Sequence, residues 1–169
     1  MKPIVSIIMG STSDLPVVRR GADFLESLAV PFELKALSAH RTPAAVEEFA
    51  RNAAPRGVKV IIAAAGMSAA LPGVIAAQTT LPVIGLPISA SLMGVDALLS
   101  VAQMPPAIPV AAVGVDAALN AAALAVRILA LADEDLAKRY REYCSSLENK
   151  ILKADAELAA IDSYKFKVD

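Results

Sequence analysis

A long apolar run over residues 58–92 leaves this chain few ways to fold. Proline and glycine interrupt the run repeatedly, and the polar residues Gln78, Thr79 and Thr80 lie inside it. A membrane-spanning helix needs about 20 continuous apolar residues, so these interruptions argue against a membrane protein. Parallel strands that are covered on both faces also read as continuous apolar runs. The run therefore predicts the buried centre of an α/β domain.

Composition excludes several other classes of protein. The length of 169 residues fits a single domain over residues 1–169. A net charge of −1, with no basic stripe, argues against a nucleic-acid partner. One cysteine and one histidine exclude an internal disulfide and a structural zinc site, so no metal is expected. The amino terminus is too short and strand-like for a signal peptide, which predicts a cytoplasmic location.

Strand-like and helix-like segments alternate along the chain. Strands are predicted at residues 4–9, 32–37, 58–64, 82–86 and 109–114. Helices are predicted at about residues 15–28, 44–54, 70–79, 94–103, 116–132 and 133–161, with Asp14 and Thr42 as N-caps shortly before Pro16 and Pro43. Strands separated by helices form right-handed βαβ units. The pattern predicts a flavodoxin-like three-layer α/β/α sandwich with a parallel sheet of about five strands, plus a C-terminal helix and tail over about residues 133–169.

The loops after the first three strands carry the candidate site. In open α/β sheets, ligands bind beyond the carboxyl ends of the strands, so these loops are expected to converge on one crevice. The first loop contains Gly10, Ser11, Ser13 and Asp14 and leads into a helix. Backbone N–H groups and the helix dipole attract anions there. The same residues also suit an ordinary capped turn, so the loop alone does not establish phosphate binding.

The second loop contains Ser38, Ala39, His40 and Arg41, and His40 is the only histidine in the chain. Histidine is the side chain whose unperturbed titration spans neutral pH, which makes His40 the candidate for proton transfer. Arg41 suits bidentate contact with a phosphate or carboxylate. An idle surface histidine beside a solvated arginine is the alternative interpretation of this loop.

The third loop, residues 65–73, is nearly devoid of reactive side chains. Its candidate site residues are Ala65, Gly66, Met67, Ser68 and Leu71. Small residues suit a surface on which a flat ring or a carbon dioxide molecule could lie. Tight packing between a helix and the sheet requires small residues too, and composition does not separate the two interpretations.

Several linked motifs resemble the PurE family of N5-carboxyaminoimidazole ribonucleotide mutases, over roughly residues 3 to 150. They come in the family's order and spacing, and read Gly10-Ser11-x-Ser13-Asp14, Ser38-Ala39-His40-Arg41-Thr42-Pro43, Leu71-Pro72-Gly73-x-x-Ala76-Ala77-x-Thr79, Leu81-Pro82-Val83-Ile84-Gly85-x-Pro87 and Gln103-Met104-Pro105. The resemblance implies an enzyme of purine biosynthesis that acts on a ribonucleotide and carbon dioxide. It implies no cofactor and a homo-octamer with shared active sites.

The resemblance also implies roles for individual residues. His40 matches the family's general acid/base, which protonates the departing nitrogen and later collects the ring proton. Ser11, Ser13, Asp14, Ser38 and Arg41 match positions that hold the ribose phosphate. Residues 66–70 match the loop that lies against the imidazole and carboxylate. For the subunit contacts, apolar residues 94–112 and the helix at 133–161 are candidates, although the helix could equally pack on its own domain.

One loop departs from the family pattern. The usual Gly-Gly-Ala-Ala-His sequence reads Gly66-Met67-Ser68-Ala69-Ala70 here, so the family's second histidine is Ala70. The related carboxylases, which use free carbon dioxide, also lack that histidine and have a serine near position 68, but they usually carry lysine at the position of Arg41. A PurE-like carboxylase of a pyridinium mononucleotide and a non-catalytic mononucleotide-binding module are further alternatives.

Overall fold

A computed structural model describes residues 2–168 and places a five-stranded parallel sheet at the centre of the molecule. The strands are β1 (Val5–Met9), β2 (Phe32–Ala36), β3 (Val60–Gly66), β4 (Val83–Ile88) and β5 (Ala111–Ala112). Their order across the sheet is β2-β1-β3-β4-β5, and every neighbouring pair is parallel. This order reverses direction between β1 and β3, which is where a doubly wound sheet opens a crevice.

Helices cover both faces of the sheet, as the alternation predicts. Their bounds are α1 (Leu15–Ser27), α2 (Pro43–Ala53), α3 (Leu71–Ala76), α4 (Val95–Ala102), α5 (Ala118–Leu129) and α6 (Glu134–Ala159). One buried cluster joins the sheet to α1, α5 and the start of α6, and a second joins it to α2, α3 and α4. The predicted flavodoxin-like three-layer sandwich is confirmed. None of the helices within residues 2–168 is long and apolar enough to cross a membrane.

The two clusters explain why the central strands read as unbroken apolar runs. Successive side chains of a strand point to opposite faces of the sheet. In β3, Val60, Ile62 and Ala64 join the cluster under α1 and α5. Ile61 and Ala63 join the opposite cluster, under α2, α3 and α4. Both faces of the strand are therefore buried, so polar residues do not alternate with apolar ones along it.

Several predicted elements are shorter than their sequence patterns, among them the helix predicted at 116–132, which spans Ala118–Leu129, and two of the differences lie next to prolines. The strand predicted at 109–114 is reduced to Ala111–Ala112, because Pro109 has no N–H to donate and the segment lies at the sheet edge. The helix predicted at 70–79 ends at Ala76. The residues that follow lead into the sequence Leu81-Pro82, and a residue before proline is disfavoured in helical conformation.

A polar cluster ties β2 to the turn after α2. Arg56 donates two hydrogen bonds to the Glu33 carboxylate, at 2.7 and 3.0 Å, and the fully buried Ser6 hydroxyl donates a third. The hydrogen bonds from Arg56 hold the pKa of Glu33 below its usual range, although burial opposes them. The stabilisation is therefore present above the usual glutamate pKa of about 4.3. It is lost as the pH falls through the lower pKa of the folded protein.

Replacing Glu33 by Gln is expected to lower the free energy of unfolding at pH 7 by about 0.5–1.5 kcal/mol, since the paired groups lose a charge-assisted hydrogen bond. The difference in unfolding free energy between the variant and wild type shrinks as the pH falls through the pKa of Glu33. The wild-type carboxyl is then protonated, so it is uncharged like the glutamine amide. Urea unfolding at pH 7 and at acidic pH measures both values. Glu47→Gln is the matched control, because Glu47 pairs with Arg51 at the surface, where such pairs contribute little. A difference that is independent of pH would contradict the assignment.

Candidate active site

A cavity of about 400 Å³ lies at the carboxyl ends of β1, β2 and β3, where the strand order reverses. Every residue that the sequence proposed for the site lines it. They are Gly10, Ser11, Ser13, Asp14, Ser38, Ala39, His40, Arg41, Ala65, Gly66, Met67, Ser68 and Leu71. The three loops therefore meet in one place, and the roles of their residues stay predictions.

The cavity has three further lining residues, Ala69, Ala70 and Ala90. Ala69 and Ala70 belong to the third loop. Ala90 follows β4 and had no place in the sequence analysis, which considered only the loops after the first three strands. The rule that ligands lie beyond the carboxyl ends of parallel strands applies to β4 as well. Extending it by one strand would have pointed to this residue.

Hydroxyl groups in the first loop lie close together. Ser11 Oγ accepts a hydrogen bond from the Ser13 N–H at 3.2 Å and lies 2.8 Å from Ser13 Oγ. Ser13 Oγ also lies 3.3 Å from Asp14 Oδ1, and its single proton serves one acceptor at a time. Gly10 donates to the carbonyl of Ala64 at 3.2 Å, which joins the loop to β3. Ser11 and Ser13 thus bring two hydroxyls to the cavity lining.

Asp14 occupies the position before α1, but the prediction that its side chain caps that helix is wrong. No capping hydrogen bond forms, and Ser11 instead caps the short 3₁₀ turn Thr12–Asp14. Asp14 is buried, and burial raises the pKa of its carboxyl above the ordinary value. Hydrogen bonding to Ser13 and to the Ser11 backbone lowers that pKa in part. The side chain is a buried carboxylate held at the cavity wall at a cost in solvation.

Replacing Asp14 by Asn is therefore expected to stabilise the unliganded protein at pH 7. A carboxyl whose pKa is raised on folding destabilises the fold once it is ionised, so the gain is largest above its pKa in the folded protein. The difference in stability between Asp14→Asn and wild type disappears as the pH falls below the ordinary aspartate pKa of about 3.9. Urea unfolding at pH 7 and pH 3.5 measures it. A variant that is less stable than wild type at pH 7 would show that the Asp14 hydrogen bonds outweigh its burial.

The second loop is closed by hydrogen bonds between its two ends. The Ser38 N–H donates to Thr42 Oγ1 at 2.9 Å, and the Thr42 N–H donates to the Ser38 carbonyl at 2.8 Å. Ser38 Oγ accepts from the Arg41 N–H at 3.2 Å. Thr42 thus ties the loop rather than capping α2 as predicted, because its hydroxyl is already engaged with Ser38. These contacts fix the backbone on either side of His40.

His40 and Arg41 project from this closed loop and are exposed. Within residues 2–168, no carboxylate forms an ion pair with Arg41, and no group hydrogen-bonds to the His40 imidazole. A permanent cation and a titratable ring therefore face the cavity that Ser11, Ser13 and Asp14 also line. The arrangement can bind an anionic group and exchange a proton beside it.

The third loop forms a tight turn at the end of β3. The Ala69 N–H donates to the Gly66 carbonyl at 3.1 Å, and Met67 between them has a φ of +55°. A Cβ atom on Gly66 would lie 3.0 Å from Ala90 Cβ and 3.1 Å from the Ile88 carbonyl oxygen. Glycine at position 66 thus allows the turn to pack against the loop after β4.

A larger cavity, of about 880 Å³, lies at the other end of the strands, near the amino ends of β4 and β5. Its lining is mostly apolar and contains no histidine, cysteine or carboxylate. Arg51, the only charged side chain among the described residues of this lining, pairs with Glu47 and hydrogen-bonds to Gln78. This cavity lacks groups for acid–base chemistry. Across residues 2–168, no three His, Cys, Asp or Glu side chains are grouped to hold a metal ion.

Comparison with known proteins agrees with the geometry. The sequence model of the family described as AIR carboxylase matches residues 4–150 of the chain. This chain belongs to the AIR carboxylase family. Among curated members, it is 52% identical to the N5-carboxyaminoimidazole ribonucleotide mutase of Pyrococcus horikoshii, over 89% of this chain and 85% of that protein. It is 49% identical to the N5-carboxyaminoimidazole ribonucleotide mutase of Bacillus subtilis, over 94% of this chain and 99% of that protein.

A solved structure of an AIR carboxylase family member has the same fold. Treponema denticola PurE superimposes with a TM-score of 0.84 at 33% sequence identity, over 93% of this chain and 99% of that one. The fold and the family are therefore established by independent comparisons.

Proposed function

We propose that this protein interconverts N5-carboxyaminoimidazole ribonucleotide and 4-carboxy-5-aminoimidazole ribonucleotide in purine biosynthesis. The observation that carries the proposal is the cavity in which the only histidine of the chain meets Arg41 and the serines of the first loop. Relatives that are about half identical over most of the chain are mutases with this substrate. Such identity along the whole length favours a shared reaction as well as a shared fold.

The substrate is proposed to lie across all three loops. Ser11, Ser13, Ser38 and Arg41 hold the phosphate, since hydroxyl and guanidinium donors suit its oxygens. Asp14 accepts hydrogen bonds from the ribose hydroxyls. The aminoimidazole ring lies on the part of the wall that carries no charged side chain, which consists of Gly10, Ala39, Ala65, Gly66, Met67, Ser68 and Leu71.

A single imidazole can complete the proton cycle of this reaction. Protonated His40 donates to the exocyclic nitrogen as the N–C bond of the carboxylate breaks, which releases carbon dioxide and aminoimidazole ribonucleotide within the cavity. Carbon 4 of the ring then forms a bond to the carbon dioxide, and neutral His40 takes the proton from that carbon. The imidazole returns to its starting state, and the substrate and product have the same atoms. No second acid/base is required, which is compatible with Ala70 in the third loop.

Complementation tests the proposed function in a cell. The chain is expressed in a bacterial strain that lacks its own mutase and therefore requires added purines. Growth without purines is the expected result, and the empty vector is the control. Failure of the expressed, folded protein to restore growth would contradict the proposal.

We also propose that residues 1–169 act as one domain in a cytoplasmic homo-octamer with shared active sites. Two exposed apolar surfaces support subunit contacts: the turn before α4 with Leu92 and Met93, and the outer part of α6 with Leu147, Ile151 and Leu158. Large apolar side chains exposed in groups mark interaction sites. Light scattering on the purified protein is expected to give the mass of an octamer, and a monomer at micromolar concentration would contradict shared sites.

A further inference from the structure

Met67 adopts a backbone conformation that is unusual for a residue with a Cβ atom. Its φ of +55° lies in the left-handed region, which glycine tolerates and residues with a Cβ rarely adopt. Its side chain is 61% exposed, yet it lines the cavity that contains His40. A conformation of this kind persists only when the surroundings impose it, and such strain is commonly found at functional sites.

The turn that contains Met67 is held at both ends. The turn is closed by the hydrogen bond from the Ala69 N–H to the Gly66 carbonyl. On one side, Gly66 lies too close to the loop after β4 to accept even a Cβ without a shift of its neighbours. On the other side, Ala69 and Leu71 are buried in the core. The backbone of Met67 is thus held by the turn, whereas its side chain is exposed beside the cavity.

No other described residue places a comparable group at the mouth. Met67 and Leu71 carry the only large apolar side chains in the described lining of the cavity, and Leu71 is 2% exposed and fixed in the core. Methionine is unbranched and flexible, so it adapts to apolar surfaces of irregular shape. Met67 alone thus combines apolar bulk, mobility and a position at the opening.

We propose that Met67 is a positioning residue that caps the cavity and keeps released carbon dioxide beside the ring. The inference rests on the proposed function, because it concerns the interval between the two chemical steps. Carbon dioxide leaves the exocyclic nitrogen as a neutral, apolar molecule and bonds to carbon 4 only if it has not diffused away. An apolar cap excludes water and retains this intermediate. Loss of the cap allows carbon dioxide to escape and free aminoimidazole ribonucleotide to accumulate.

Label retention measures this escape directly. Substrate labelled with ¹³C in its carboxylate is converted in buffer that contains unlabelled bicarbonate, and the label in the 4-carboxylate product and the amount of free aminoimidazole ribonucleotide are followed. Three variants separate bulk from strain: Met67→Gly removes both, Met67→Ala removes the bulk and keeps the strained backbone, and Met67→Leu keeps both. Ala29→Gly is the matched control for strain, because Ala29 is also exposed and has a φ of +53° but does not line the cavity.

In the Gly and Ala variants, we expect the fraction of label lost per turnover to rise about tenfold, in line with the effect of one apolar contact in a pocket. Met67→Leu keeps the label. Both Met67→Gly and Ala29→Gly are expected to raise the melting temperature, because each relieves a left-handed backbone, but Ala29→Gly retains the label. Equal label retention in wild type and all Met67 variants would overturn the inference while leaving the proposed function intact. Loss of label in Ala29→Gly to the same extent would overturn it too, and absence of turnover in wild type would instead refute the proposed function.

Discussion

Replacing His40 by Asn is expected to lower kcat for the interconversion of the two carboxylated ribonucleotides by about 10²- to 10⁴-fold. The imidazole is the only group of its kind in the chain, and the account gives it both proton transfers. Asparagine has similar size and hydrogen-bonding capacity but does not titrate near neutral pH. Steady-state kinetics with each ribonucleotide as substrate measures the loss in both directions.

Two controls separate chemistry from folding and binding. Because His40 is exposed and lies in a loop closed by Ser38 and Thr42, the variant keeps its melting temperature. The product ribonucleotide still binds in calorimetry, since the phosphate contacts are intact. His40→Gly with added imidazole is expected to regain part of the activity. Turnover by His40→Asn at the wild-type rate would contradict the assignment of His40 as the proton carrier.

Replacing Gly85 by Ala is expected to have the largest effect on stability, with a loss of about 1–3 kcal/mol in the free energy of unfolding. A Cβ at this position of β4 would lie 2.2 Å from Val101 Cγ1 and 2.9 Å from Val110 Cγ1. Valine is stiff about χ1, and Val101 is fully buried in α4. The new methyl group therefore forces α4 away from the sheet.

Urea unfolding of Gly85→Ala measures the loss. Gly114→Ala is the matched control, because the nearest atom to its Cβ would be Ala117 Cβ at an ordinary 3.6 Å. We expect the control to change stability by less than about 0.5 kcal/mol. Adding Val101→Ala to Gly85→Ala is expected to restore part of the loss, since it removes the atom in closest contact. Equal losses in Gly85→Ala and Gly114→Ala would show that packing against α4 is not the cause.

Much of the fold could be predicted because β1, β3 and β4 are covered on both faces. Ile8, Ile61 and Ile84 are all fully buried, although they lie on different strands and faces. Such strands have a continuous apolar signature, and the helices between them have amphipathic periods. The positions of the site loops then follow from the rule that parallel strands place their carboxyl ends at one edge.

Other features depend on contacts between distant segments and have no local signature. The roles of Asp14 and Thr42 are decided by competing hydrogen bonds with Ser11, Ser13 and Ser38, so their residue types suggested caps that do not form. The left-handed backbone of Met67 occurs in a turn whose Gly66 lies close to Ile88 and Ala90, far along the chain. No propensity of methionine predicts that conformation.

The most direct test of the account is product formation by the purified protein from two substrates in parallel. One reaction contains N5-carboxyaminoimidazole ribonucleotide without added bicarbonate, and the other contains aminoimidazole ribonucleotide with bicarbonate at a modest concentration. We expect rapid conversion of the first substrate alone. Efficient conversion of the second alone would place this protein with the carboxylases that use free carbon dioxide, and conversion of neither would refute the proposed function.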